Sequence, residues 1–325
     1  MRNPPDVPGV RSQRTRFQKL LAYLKRYWFL YLLVLPGFVF MIVFNYGPMY
    51  GIQLAFKDYH ANLGIWGSPW VGLEHFREMI ADANFWRAAK NTLIINGYNI
   101  VFKTTFTIFL ALMLNELRLK KRSKSCVQTA AYLPYFLSWV IFAGLVQVFL
   151  EYPSSSGSSG GVINQVITFF GGEPINFLTR PDLFRAIVVI SNIIKNAGYG
   201  TIVYLASMST INPALYEAAK MDGSNRLQMM LHITIPAILP TIVILLILDL
   251  SSLFSANFDQ IYNLYNNYVL STGDVLSTYI YRISLGGGTS FELSTAINLV
   301  LQVLGLIVVL ITNKFVSKLD IMGIF

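Results

Sequence analysis

Three ionisable side chains sit inside apolar stretches of this 325-residue chain: Lys103 in "IVFKTTFTIFL", Lys195 in "ISNIIKNAGYG" and Asp249 in "LLILDL". An ionisable group at the middle of a bilayer costs about 3 kcal/mol on insertion scales, so each is expected to face protein or a water-filled path. For Lys103 two readings stand: a long stem that snorkels or makes a structural hydrogen bond, or a pathway cation. Lys195, beside Asn196, Gly198, Tyr199 and Gly200, carries the same pair of readings. The two glycines fit close helix packing or a bend. Covalent chemistry has little to work with. His60, His75 and His232 are scattered, and "GGGTS" at 286–290 lacks the lysine of a phosphate-binding loop. What remains is non-covalent handling of a solute.

The composition places these groups in a membrane. The chain is 54% hydrophobic and 13% charged, against roughly 25% charged in soluble domains. Cys126 is the single cysteine, which excludes an intrachain disulfide framework. Six windows are long and apolar enough to cross a bilayer: 29–51, 92–114, 128–150, 185–208, 233–254 and 294–313. The excess charge of +9 is placed by topology rather than by nucleic acid. Residues 1–28 hold seven Lys/Arg against one acid, and 115–127 hold five against one, as cytoplasmic segments do. Loops 52–91, 151–184 and 255–293 are mixed or net acidic, so both termini and residues 209–232 are expected in the cytoplasm.

The flanks have their own character. The first apolar run is too long for a signal peptide and has no small-residue cleavage site, so it reads as a retained anchor. Residues 1–20 read as a polar tail, with an amphipathic surface helix over 17–28 as the alternative. "PSSSGSSGG" at 153–161 is a connector by composition. Residues 71–93 carry apolar side chains at helical spacing and read as an interfacial helix.

One polar stretch, "YEAAKMDGSNRLQMMLHITIPAILP" at 216–240, interrupts the apolar pattern. Asn212-Pro213 is a helix start and Gly223 a left-handed stop. The helix between them, about ten residues and roughly 15 Å long, is marginal alone in water and needs a partner surface. Ala218 and Ala219 permit close approach, and Glu217 offers a carboxylate to a basic group on that partner. Asp222 is expected to cap a second helix beginning near Ser224. A helical run from Arg226 to His232 then enters the fifth apolar window.

This stretch resembles a known motif. Glu217-Ala218-Ala219, Asp222-Gly223, Gln228, Ile233, Ile235-Pro236 and Pro240 are similar to the EAA loop of permease subunits of binding-protein-dependent ATP-binding-cassette (ABC) importers; Ser224 and Ile235 are mild departures. "FNYGPMYGIQLAFKDY", "WVGLEHF", "FWRAAKNTL", "ALMLNEL", "LPTIVILLILDL", "FDQIYNLYN" and "DVLSTYIYR" extend the resemblance to the oligosaccharide branch. That branch includes importers of alginate and pectin-derived uronate oligosaccharides. The chain as a whole resembles the alginate type, which pairs with a second, homologous permease.

The resemblance implies an all-α polytopic membrane protein of six transmembrane helices with the type I ABC importer permease fold. The basic segment 1–28 precedes a first helix at 29–51 that lies outside the core. The loop 52–91, the five-helix core 92–313 with its coupling loop 212–240, and the tail 314–325 follow. It implies a coupling helix at 212–223, with Glu217, Ala218, Ala219, Met221, Asp222 and Gly223, seated in a groove of an ABC ATPase dimer. That dimer binds ATP and magnesium; this chain itself is expected to hold no cofactor or metal. An extracytoplasmic solute-binding protein and the second permease complete the assembly, in a bacterial cytoplasmic (inner) membrane. For a uronate cargo, Tyr46, Tyr50, Asn99, Lys103, Lys195, Asn196, Asn257 and Gln260 are the candidates: ammonium groups pair with carboxylates, rings stack on sugar faces and amides bond hydroxyls. Neutral sugars would fit many of the same groups, and Lys195→Met is expected to separate the two cargoes. An ion-coupled secondary transporter is the rival reading, since Lys and Asp can relay protons, but it leaves the coupling loop without a task.

Overall fold

The computed structural model describes residues 16–117, 121–154, 159–255 and 258–317. The described chain is helical throughout, with one isolated bridge between Lys57 and Trp70. It divides into two compact units, Met1–Gln53 and Leu54–Phe325. The first holds helix Arg16–Met41, kinked at Tyr27 and containing Pro36, and a π-helical turn Ile42–Tyr46. The amphipathic alternative for 17–28 is thus absorbed into a longer helix.

Among the described residues five helices are long and apolar enough to cross a membrane, six when one bent pair is included. The first is Tyr23–Phe56, the second Ala83–Glu116, the fourth Pro181–Ser209, the fifth Arg226–Ser251 and the sixth Phe291–Val316. The third window corrects the expectation of a simple span: Arg122–Phe136 and Trp139–Phe149 meet at 104°. Pro134 opens a 3-10 turn, Leu137 and Ser138 are extended, and the Ser138 hydroxyl caps Ile141 N at 3.3 Å. Proline supplies no amide to the ladder, so the chain restarts a helix in a new direction.

Within the second unit the second and fourth helices run side by side in one direction. Arg185 meets Asn91 at one end, and Thr201 Oγ1 approaches Thr107 O further along. The fifth runs against them: Ser207 pairs with Thr241, and Asn96 Nδ2 donates to Leu253 O at 2.8 Å. Apolar clusters fill the seams. Ala111, Leu112, Tyr204, Met208 and Ile238 form one toward the end where the fourth helix stops. Ile95, Phe184, Val188, Ile261 and Val275 belong to another at the opposite end.

Glycine makes two of these approaches possible. A Cβ on Gly198 would stand 2.6 Å from Ala131 O and 2.9 Å from Tyr132 Cα, and one on Gly200 would stand 2.7 Å from Thr107 Cγ2. Of the two sequence readings, packing is the one the geometry supports. Gly198→Ala is expected to cost about 1–3 kcal/mol through overpacking against backbone that cannot step aside, read as a lower midpoint in thermal unfolding of purified protein. Gly200→Ala, opposed by a single methyl group, is expected to cost less.

The segment 71–93 is two helices, Glu74–Ala81 and Ala83–Tyr98, split at Asp82. Met79, Phe85 and Ala88 bury against Leu276, Tyr279, Leu293 and Ile297, so this stretch is packed on the body of the unit.

Candidate functional site

The polar stretch folds as a short helix, a reversal and a long helix. Asn212 Oδ1 accepts from Ala214 N at 3.0 Å, Pro213 occupies the first turn, and the helix runs Pro213–Met221. It ends in a Schellman turn: Ser224 N donates to Ala219 O at 2.9 Å and Gly223 N to Lys220 O at 3.1 Å, with Gly223 at φ +80°. The next cap corrects the sequence reading. Asp222 belongs to the first helix's C-terminal end; Asn225 is the cap, in a reciprocal box with Gln228 at 2.9 and 2.8 Å. The turn uses every residue through Ser224, which leaves Asn225 as the first extended residue before the new helix.

From Arg226 the chain is one helical element to Ser251, with a π-helical turn over Met230–Thr234. Tyr216 and the buried Thr234 share a 2.9 Å hydrogen bond, which fixes the short helix to the base of the long one. The short helix presents Leu215, Ala218 and Met221 to solvent beside exposed Glu217 and Asp222; Met221 is 89% exposed. A crevice of about 220 Å³ opens between Ala219, Ser224, Gln228 and His232. An exposed apolar face on a polar helix, braced from behind, is built to be covered.

The three membrane charges are all accounted for. Lys103 Nζ meets Asp249 Oδ1 at 2.6 Å, joining the second and fifth helices. Lys103 closes a π-helical turn, Asn99–Lys103, in which Asn99 Oδ1 is buried without a hydrogen-bond partner among the described residues. Lys195 lies 5% exposed in the elbow of the bent third helix. Its ammonium donates to Tyr135 O at 3.0 Å and stands over the rings of Tyr135 and Trp139 at 5.6 and 5.1 Å. A break in a membrane helix frees carbonyls that need donors, and Lys195 supplies one.

At the end away from the short helix, polar groups gather on residues 258–284. Asp274 is fully buried and held by Arg282 at 2.7 and 3.0 Å and by Thr278, with Arg87 at 3.8 Å. Asn91 donates to Asp274 O and accepts from Arg185 at 2.7 Å; Arg185 Nε is buried without a partner among the described residues. The Tyr279 hydroxyl donates to Asp82. Burial, then the Asp82 carboxylate, pushes the Tyr279 phenol well above its usual range. Burial tends to raise Asp82, but hydrogen bonds from Tyr279 and Asn84 and the Arg87 charge bring it below the usual carboxylate range. A lowered carboxyl stabilises the fold above its unfolded pKa and loses that contribution only as the pH falls through the lowered value, so this brace is intact at neutral pH.

Beside Arg282 stand four aromatic rings. Phe258 and Tyr262 stack at 4.9 Å, Tyr281 meets both at 5.2 Å, and Tyr265 lies 6.1 Å from Tyr262. The exposed ring of Tyr262 and the half-exposed guanidiniums of Arg87 and Arg282 therefore share one region.

Residues 103–320 match the family described as binding-protein-dependent transport system inner membrane component. The chain belongs to that family. It is 41% identical over 321 residues to the polygalacturonan/rhamnogalacturonan transport system permease protein YteP of Bacillus subtilis (strain 168), covering 99% of this chain and 98% of that one. Protein LplB of the same organism is 40% identical over 305 residues, with 94% and 93% covered. Among solved structures, a bacterial alginate ABC transporter in complex with an alginate pentasaccharide-bound periplasmic protein has a chain of 40% identity and TM-score 0.84, covering 94% of this chain and 100% of that one. The fold is that of an ABC importer permease, in a multi-pass membrane protein.

The permease brings some of the sequence candidates together and separates others. Glu217, Ala218, Ala219, Met221, Asp222 and Gly223 form one exposed structure. Asn99 and Lys103 share a π-helical turn, and Lys195 and Asn196 adjoin the elbow. Gln260 is 1% exposed; its amide bonds Val188 O, Ser191 Oγ and Asn192, so it braces the short helix Phe258–Leu264 on the fourth. Tyr46 and Tyr50 belong to the first unit, and Asn257 lies outside the described residues. The Arg87, Arg185 and Arg282 cluster with its tyrosines went unnoticed in the sequence. Its members come from three segments up to 195 positions apart, although the tyrosine density of "FDQIYNLYNNY" and "YIYR" was a signal.

Proposed function

We propose that this permease subunit couples an ABC ATPase dimer to import of an anionic, uronate-type oligosaccharide, handed over by an extracytoplasmic binding protein. It pairs with a second homologous permease in a bacterial cytoplasmic (inner) membrane, with both termini and the Pro213–Met221 helix inside. ATP and magnesium belong to the ATPases. The apolar face of Leu215, Ala218 and Met221 docks on them, and the rigid join through Thr234 passes their closure into the fifth helix. The observation that carries the substrate class is the half-exposed Arg87 guanidinium, which Asp274 approaches only at 3.8 Å, in one region with the phenol rings at the end opposite the coupling helix: arginine pairs with carboxylates, and aromatic rings cover sugar faces. Similarity to the polygalacturonan/rhamnogalacturonan permease and to the alginate transporter supports the same class.

Proteoliposomes holding the complete complex, with ATP inside and no ion gradient, test this. Oligogalacturonates or alginate oligomers are expected to be taken up in preference to maltotriose; uptake that requires an ion gradient and ignores ATP would restore the secondary-transporter reading.

Asn99, Lys103 and Asn196 are our proposed path residues. Lys195 is assigned the elbow: with its ammonium engaged by Tyr135 and two rings, Lys195→Met is expected to reduce uptake of charged and neutral cargo by the same factor. Selective loss of the charged cargo would return Lys195 to the path.

A further inference from the structure

The sixth helix carries two amides one turn apart, Asn298 and Gln302, both exposed on this chain although they lie in a membrane-crossing segment. They open onto a crevice of about 340 Å³ between the fifth and sixth helices and helix Leu276–Ser284. Ser251, Ser255 and Ser277 line its other walls, with Phe254 among them, and no lining side chain is ionisable. The hydroxyl of Ser277 is buried and finds no hydrogen-bond partner among the described residues. A hydroxyl in that state lacks about 1–3 kcal/mol of compensation, and exposed amides do not face hydrocarbon when protein or water is available. The volume is at the low end of small-ligand pockets, at roughly 300–1,000 Å³.

We propose that this crevice is a subsite for the hydroxyl groups of one pyranose ring, separate from the guanidinium and tyrosine cluster that meets carboxylates. The inference rests on the importer reading above and adds to it the side that reads the neutral part of the sugar. Amides and hydroxyls both donate and accept, which matches vicinal hydroxyls, while the absence of an ionisable lining side chain gives this subsite no preference between a uronate and a neutral sugar.

The test uses the complete complex in liposomes with Cys126→Ser as parent, and Gln302→Cys or Ile311→Cys introduced singly; Ile311 is exposed on the opposite face of the sixth helix. A membrane-impermeant maleimide is expected to label the Gln302→Cys protein, and trigalacturonate or maltotriose, whichever the parent imports, to slow that labelling at least fivefold; the Ile311→Cys protein is expected to stay unlabelled. In parallel, Asn298→Ala with Gln302→Ala is expected to raise KM about tenfold, as loss of two neutral hydrogen bonds implies, by one factor for charged and neutral cargo, with kcat retained. Labelling at Gln302→Cys that a transported sugar leaves unchanged means water alone fills the crevice and overturns the proposal. Absence of labelling there, with lipid or the second permease as the cover, overturns it too. A parent that hydrolyses ATP but imports neither sugar overturns the importer reading for these sugars, and this subsite with it.

Discussion

Lys103→Met and Asp249→Leu are each expected to destabilise the permease by about 3 kcal/mol, and the two together by much less. The pair is close, 2.6 Å, and each side chain is about three-quarters shielded. Removing one member leaves the other as a lone charge at membrane depth, for which insertion scales give about 2.5–3.5 kcal/mol. Removing both leaves two apolar side chains where an ion pair stood, a change that is often neutral or stabilising. Thermal unfolding of the purified single and double variants therefore forms a cycle with an expected coupling of at least about 4 kcal/mol, above the usual range for groups in direct contact because each single variant strands a charge at membrane depth. Additive losses would mean that the two charges do not depend on each other. The result bears on the proposed mechanism because the fifth helix is continuous with the segment that follows helix Pro213–Met221, so this pair ties the second helix to the element through which ATPase closure is proposed to pass.

That pair also marks the limit of what one sequence discloses. Hydropathy put Lys103, Lys195 and Asp249 on stretches that fold as helices long and apolar enough to cross a membrane but could not name partners, since Lys103 and Asp249 stand 146 positions apart and no local pattern connects them. Period and composition are likewise blind to a π-helical turn, so Asn99 and Lys103 read as ordinary positions on a 3.6-residue wheel. The third window was legible as a span but not as a bent one, for a related reason. Its apolar content is that of a span, and only Pro134 warned that the helix stops and turns through 104°. The elbow that results is what turns Lys195 from a lone cation into a donor for Tyr135 O.

The coupling stretch was legible because its signals are local. Asn212, Pro213 and Gly223 fixed both ends of the helix through capping and a positive φ, and the structure places all three where those rules require. The misassigned cap was avoidable: Asn225 with Gln228 three residues on is the reciprocal box pattern, whereas Asp222 has no Glu or Gln at that offset. Among the described residues, then, what hydrogen bonds within a few positions determine was readable, and what distant side chains determine was not.

Glu217→Lys is expected to leave the permease folded and inserted, yet to release the ATPase and abolish uptake. The side chain is exposed, and an exposed substitution away from caps and packing changes stability by at most about 0.5 kcal/mol. The short helix keeps its cap, its Schellman turn and the Tyr216–Thr234 bond, none of which involves residue 217. The partner surface is another matter. A basic group facing Glu217 across the docking face would meet a second cation, and a like-charge juxtaposition at an interface costs about 2–5 kcal/mol. At 1.4 kcal/mol per tenfold change in affinity, co-purification of the ATPase should fall by at least about thirtyfold. Glu217→Gln removes the attraction without adding repulsion and should fall between the two, since the apolar contacts of Leu215, Ala218 and Met221 remain. Undiminished co-purification with normal uptake in the Lys variant would show that residue 217 points away from the ATPase, and docking would then have to be carried by that apolar face alone.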